Sequence, residues 1–167
     1  VSPRTKASEM EHAIRHHIRE HVDENPAYYD RLSQRVDEIL DKLEDRWEQI
    51  ALFEEIISEI NAGRTDEADI GLDPATELPF HGLMAERVSS SDGAAADRLT
   101  ALTRSLVADV RGQIAVVGFW ENSTKQDELR KAVKRSLDDS NLFVYDDLDE
   151  LAVDLVALAK ANRQRLR

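Results

Sequence analysis

The chain has 167 residues, enough for one domain or two subdomains around a buried core. It carries 34 acidic against 22 basic residues, a formal net charge of −12, which opposes nonspecific phosphate binding over most of its surface. The absence of cysteine excludes a disulfide framework and any Cys-based metal site.

No apolar run approaches the roughly 20 residues that a bilayer-spanning helix needs. No charged start, apolar stretch and cleavage site suggest a secretory signal. These features point to the cytoplasm. The chain opens at Val1, and Ser2-Pro3-Arg4 reads as a linker into a helix. It is therefore expected to be a piece of a longer protein, or one whose start was processed.

Every periodic segment reads as helix, and none shows the alternation of a strand. The expected fold class is all-α, an irregular bundle of about six helices built on one long spine helix. The first helix covers about 5–22, with Met10, Ile14, Ile18 and Val22 on one stripe. Asn25 and Pro26 supply a cap and a first-turn proline for the next helix. That helix is the spine. Leu32, Val36, Ile39, Leu43, Trp47, Ile50, Ile57 and Ile60 keep three-four spacing, with neither Gly nor Pro between Pro26 and Gly63. A continuous helix over 26–62 would be a rod of about 50 Å. Trp47 and Ile50, at its middle, are expected to be buried by later helices. Asn61-Ala62-Gly63 supplies a stop.

Residues 64–76 are polar and read as a loop. A short helix over about 77–88 presents Phe80, Leu83, Met84 and Val88, and Ser89 to Gly93 form a linker. A fourth helix, about 94–115, carries Leu99, Leu102, Leu106, Val110 and Ile114. Gly118-Phe119-Trp120 breaks the pattern. Ser123 with Gln126 reads as a capping box for a fifth helix over about 124–139, which Asn141 can end. Asp146 or Asp147 begins the last helix, and its basic end holds Lys160, Arg163, Arg165 and Arg167.

Few residues suggest chemistry. His12 and His16, and His17 and His21, stand four apart, with Glu20 beyond His16. Each pair shares a helix face, but without Cys or an HExxH motif the ligand set for zinc is incomplete. No metal residue is assigned. Carboxylates abound among exposed charges, with no sign of the burial that would shift a pKa into a catalytic range. Six scattered glycines form no phosphate-binding loop, and no nucleophile motif appears. No catalytic or cofactor-binding residue is assigned.

Charge is uneven along the chain. Residues 23–62 hold twelve acids against four bases, and 124–137 hold two acids against five bases. The acidic block reads as a solvated helix face, or as an electrostatic docking surface for a basic partner. Lys125, Arg130, Lys131, Lys134 and Arg135 form the basic patch, a candidate for phosphate contact or an ordinary solvated face flanked by acids. Phe119 and Trp120 read as a core plug beside the fifth helix; the other reading is a partner anchor.

The segment Arg4-Thr-Lys-Ala-Ser-Glu-Met-Glu-His-Ala-Ile-Arg15 resembles the opening of the C-terminal helical domain in the R (motor and restriction) subunit of type I restriction enzymes. Leu78-Pro-Phe-His-Gly-Leu83 resembles that family's short helix after its polar loop. Val116-Val-Gly-Phe-Trp-Glu-Asn122 with Gln126-Asp-Glu-Leu-Arg130 resembles its Trp-containing turn and following helix. The resemblance implies a parent subunit with a PD-(D/E)xK nuclease domain and two motor domains that use ATP and Mg to translocate duplex DNA. None of those motifs lies in this sequence, so no catalytic residue carries over. What it implies here is an assembly domain that docks the motor onto the methyltransferase and specificity subunits, with DNA contact weak or indirect and no membrane association. Residues 1–22 would continue from the absent motor domain and 23–167 would form the assembly domain. The alternatives are a DNA-contacting helical domain of the same motor and a free-standing acidic helical adaptor.

Overall fold

The computed structural model describes residues 2–62 and 70–167. Among these residues there are seven α-helices and no strand, apart from one isolated bridge between Val88 and Phe143. The all-α expectation therefore holds. The chain divides into two compact units, Val1–Asp69 and Ile70–Arg167. The 22/23 boundary drawn on the sequence falls inside the first unit.

In the first unit, α1 spans Pro3–His21, α2 spans Pro26–Lys42 and α3 spans Arg46–Ala62. Ser2 caps α1 by accepting from the Thr5 amide at 3.2 Å, and Pro3 occupies a position where the missing N–H costs nothing. Asn25 caps α2 in the same way, accepting from the Tyr28 amide, with Pro26 opening the helix. The apolar stripe of α1 buries Ala7 and Ile14. These pack with Leu32 and Val36 of α2 and with Ile50, Phe53 and Ile56 of α3. Exposed and partly covered ion pairs link the helices: Lys6 to Glu54, Arg15 to Asp37 and Arg35 to Glu59. Such pairs set orientation more than they add stability.

The expected spine helix over 26–62 is two helices. The chain leaves helical geometry at Leu43, which is extended at φ −110° and ψ 121°. The cause is a cap. Asp45 Oδ1 accepts from the backbone amides of Trp47 and Glu48 at 2.8 and 3.4 Å, satisfying two of the orphan donors that start a new helix. The buried Gln49 side chain then donates to the Leu43 carbonyl at 2.6 Å, so the last turn of α2 does not leave that acceptor stranded.

The break also overturns the expected burial of Trp47. Ile50 is buried, but Trp47 is 64 % exposed. At about 100° per residue, Trp47 lies more than about 100° around α3 from the centre of the buried set Gln49, Ile50, Phe53 and Ile56. The helix turns Gln49 inward instead. The expected stop at Gly63 lies outside the described residues, as do residues 64–69 of the loop expected over 64–76, although α3 does end at Ala62.

In the second unit, α4 spans Leu78–Ala85, α5 Ala95–Ile114, α6 Ser123–Ser140 and α7 Leu148–Ala161. Helix α6 lies along α7, α5 packs on α4 and α6, and α4 also touches α7. Their leucines share one core with Phe80, Met84 and Phe119. Asn141, at φ 56°, takes the left-handed conformation that ends α6. The start of α6 differs from the expected capping box. Asn122, not Ser123, is the cap, accepting from the Lys125 amide at 3.1 Å. Gln126 reaches back to donate to the carbonyls of Phe119 and Trp120. At the start of α7, Asp147 holds the cap position without a side-chain bond to the helix. Arg163, Arg165 and Arg167 lie beyond the end of α7, and Leu166 is buried in the core.

Replacing Trp47 by Ala should change the free energy of unfolding by less than about 0.5 kcal/mol, as for most exposed positions, whereas Phe53→Ala should cost about 3–5 kcal/mol. Asp45→Ala should cost about 1 kcal/mol through loss of the cap. Urea denaturation of the three variants measures all of these, and a Trp47→Ala loss as large as that of Phe53→Ala would contradict the exposed position.

Candidate functional site

The basic patch on α6 is the first sequence candidate, and its helix does present it to solvent. Its cations are largely engaged with carboxylates. Arg130 pairs with Asp127 at 2.9 Å and with Asp149 of α7 at 3.6 Å. Lys131 pairs with Asp127 at 3.1 Å, and Lys134 with Asp149 at 3.0 Å. The hydrogen bonds from Arg130 and then Lys131 hold the Asp127 carboxyl below its ordinary range. Asp149 likewise holds the Lys134 ammonium above its own. Lys134 also lies 5.5 Å from the ring centre of the exposed Tyr145. Lys125 and Arg135 have no carboxylate in ion-pair reach among the described residues. The five residues share one helix, but two carboxylates balance three of them. A phosphate would have to displace those partners.

The histidine face of α1 forms a cluster, though not of the expected members alone. The rings of His17 and His21 are 4.3 Å apart, and Tyr29 of α2 lies beside both. Tyr29 and His17 Nε2 are 3.3 Å apart, and His21 Nδ1 is 3.1 Å from Glu24. His16 faces Glu20 at 4.0 Å. Among the described residues no group of three or more metal-binding side chains converges. Burial and then the neighbouring His21 push the His17 imidazole below its ordinary value, against the opposite pull of Glu24.

Phe119 is buried and Trp120 half-buried, meeting edge to face with ring centres 4.7 Å apart. They are the plug expected from the sequence, held by Gly118 at φ 77°. The neighbouring Val117 is almost fully exposed.

Two grooves were not legible in the sequence. One, of about 450 Å³, lies between the segment before α4 and one face of α5, lined by Asp73, Thr76, Glu77, Arg104 and Arg111. Its polar groups are engaged. Arg104 donates to the Gly71 carbonyl, Arg111 to that of Arg167, and Asp73 accepts from Thr76 and Ala75. Those bonds, Thr76 first, hold the Asp73 carboxyl low. The other groove, of about 330 Å³, runs between α2 and α3 over Ile39, Leu43 and Leu52, with Arg35, Glu38, Lys42 and Glu55 at its rim. It exists because the chain folds back at Leu43, which a continuous spine would not allow.

A family model for the C-terminal domain of type I restriction enzyme HindI endonuclease subunit-like proteins matches residues 2–163. The chain belongs to that family. The match extends through both compact units, so the C-terminal domain of this endonuclease subunit family comprises the two together. No curated protein and no solved structure gives a significant match. Among the described residues of this domain, no helix is long and apolar enough to cross a membrane.

The lowered His17 value has a definite sign. Below the ordinary value of 6.5 the unfolded chain takes up a proton that folded His17 resists. This contribution to stability is therefore complete above 6.5 and falls as the pH drops toward the lower folded value. An NMR titration should place the His17 midpoint below 6.5, and His17→Gln should flatten the acid-side loss of stability.

Proposed function

We propose that the chain is a non-catalytic assembly domain, docking an ATP-dependent DNA translocase and endonuclease subunit onto its methyltransferase and specificity subunits. Membership of the endonuclease subunit's C-terminal family carries this reading. A restriction enzyme that both cleaves and recognises DNA needs a part that joins the two activities. The sequence supplies no phosphate-binding glycine loop and no acid-lysine nuclease pattern, so the ATP and Mg chemistry of the parent belongs to other domains.

Charge supports protein docking over DNA contact. The net charge of −12 repels phosphate, and Arg130, Lys131 and Lys134 are already paired with carboxylates. Protein association needs no cationic surface. It uses apolar anchors inside a polar rim.

Titrated against the purified methyltransferase–specificity complex, the domain should bind. It should bind free duplex DNA only weakly, with a shallow dependence on salt. Absence of association with that complex would remove the docking role. Tight DNA binding abolished by Arg130→Glu with Lys134→Glu would assign α6 to DNA instead. Purified protein should neither cleave DNA nor turn over ATP, with or without magnesium, and dose-dependent ATP hydrolysis would contradict the non-catalytic role.

A further inference from the structure

The α2–α3 corner combines three features that neither the charge nor the fold alone requires. Trp47 is 64 % exposed on α3, although burial of an indole is worth more than that of almost any other side chain. The groove between α2 and α3, which Trp47 does not line, has an apolar floor of Ile39, Leu43 and Leu52, all half-buried. Glu55 joins the two, since it lines the groove and lies two helical turns from Trp47 with Ala51 between. Around this surface acids outnumber bases, although the groove's own rim sets Arg35 and Lys42 against Glu38 and Glu55. Between Arg35 and Glu55 eight exposed carboxylates stand against three bases, Arg35, Lys42 and Arg46.

We propose that this corner is the docking face, and that it receives a cationic amphipathic helix of a partner protein. The proposal rests on the assembly reading above and names the surface and the chemistry it recognises. A helix laid in a groove presents apolar residues at three-four spacing, which fits a floor formed by two neighbouring helices. Lys and Arg on its flanks meet the carboxylates that predominate around the groove, which steers approach and disfavours acidic segments and nucleic acid. Trp47, along α3 from Glu55 and outside the groove's lining, supplies an exposed aromatic side chain of the kind favoured in such interfaces. Its exposure leaves stability indifferent to its identity, so its effect on binding can be read separately.

Trp47 also reports its own occupancy. In a Trp120→Phe background its emission should lie to the red in the isolated protein. A helical peptide of Leu and Lys should shift it to the blue, and added salt should weaken that binding. An equally amphipathic peptide of Leu and Glu should produce no shift. Neutralising three of the surrounding carboxylates as Glu44→Gln, Glu48→Gln and Glu55→Gln should weaken the Leu/Lys peptide about tenfold while leaving the melting temperature unchanged. No shift with the cationic peptide would overturn the proposal, and so would an equal shift with the acidic one. Emission that is already blue, or that turns blue with protein concentration alone, would assign the face to the same chain or to a second copy and would also overturn it. The methyltransferase–specificity complex, added in place of the peptide, separates the two levels. Association without a Trp47 shift would keep the assembly role and reject this face. A peptide shift without association would keep the face and reject that role.

Discussion

The arrangement of the first unit depends on the competition for backbone amides at residues 43–48. A continuous helix would bond the Trp47 and Glu48 amides to carbonyls of the preceding turn. The Asp45 carboxylate takes them instead. A carboxylate at the positive end of a helix accepts charge-assisted bonds that a neutral carbonyl does not match. Everything else follows from that local choice. Helix α3 folds back, Phe53 and Ile56 reach the stripe of α1, Gln49 enters the interior and Trp47 leaves it.

Much of the fold was legible because apolar spacing and helix starts are written locally. Ser2, Asn25 and Asn141 act at helix ends, and the stripes Met10-Ile14-Ile18 and Leu99-Leu106-Val110 face the cores. The spine was misread because spacing alone does not distinguish one helix from two whose stripes happen to stay in phase. Gly and Pro are not the only helix breakers. Asp45 followed three residues later by Glu48 is itself a start signal, here hidden inside an acidic run. The Asn122 cap was missed for a related reason, since Asn122 and Ser123 both suit the role and only the backbone decides between them.

The candidate sites were legible as positions but not as partnerships. The sequence places Arg130, Lys131 and Lys134 on one flank of α6. It does not reveal that Asp149, contributed by α7, stands opposite two of them. The same holds for His17 and His21, whose spacing was plain while the Tyr29 ring that α2 sets beside both was not. Charge counted along a chain thus overstates a patch whenever a neighbouring helix carries the opposite sign. The α2–α3 corner is the milder case, where an acidic run along the sequence stays predominantly acidic although Arg35 and Lys42 share the groove's rim.

The buried amide of Gln49 carries a consequence for how this corner tolerates variation. Its carbonyl partner at Leu43 belongs to the end of one helix, while Gln49 itself lies in the second turn of the next. An aliphatic side chain at 49 would add oily surface but leave that part-buried carbonyl without its side-chain donor. Side chains at the two ends of the bend are therefore free to drift only in concert. A homologue with leucine at 49 needs another donor, a side chain or a water, at the end of the helix before it.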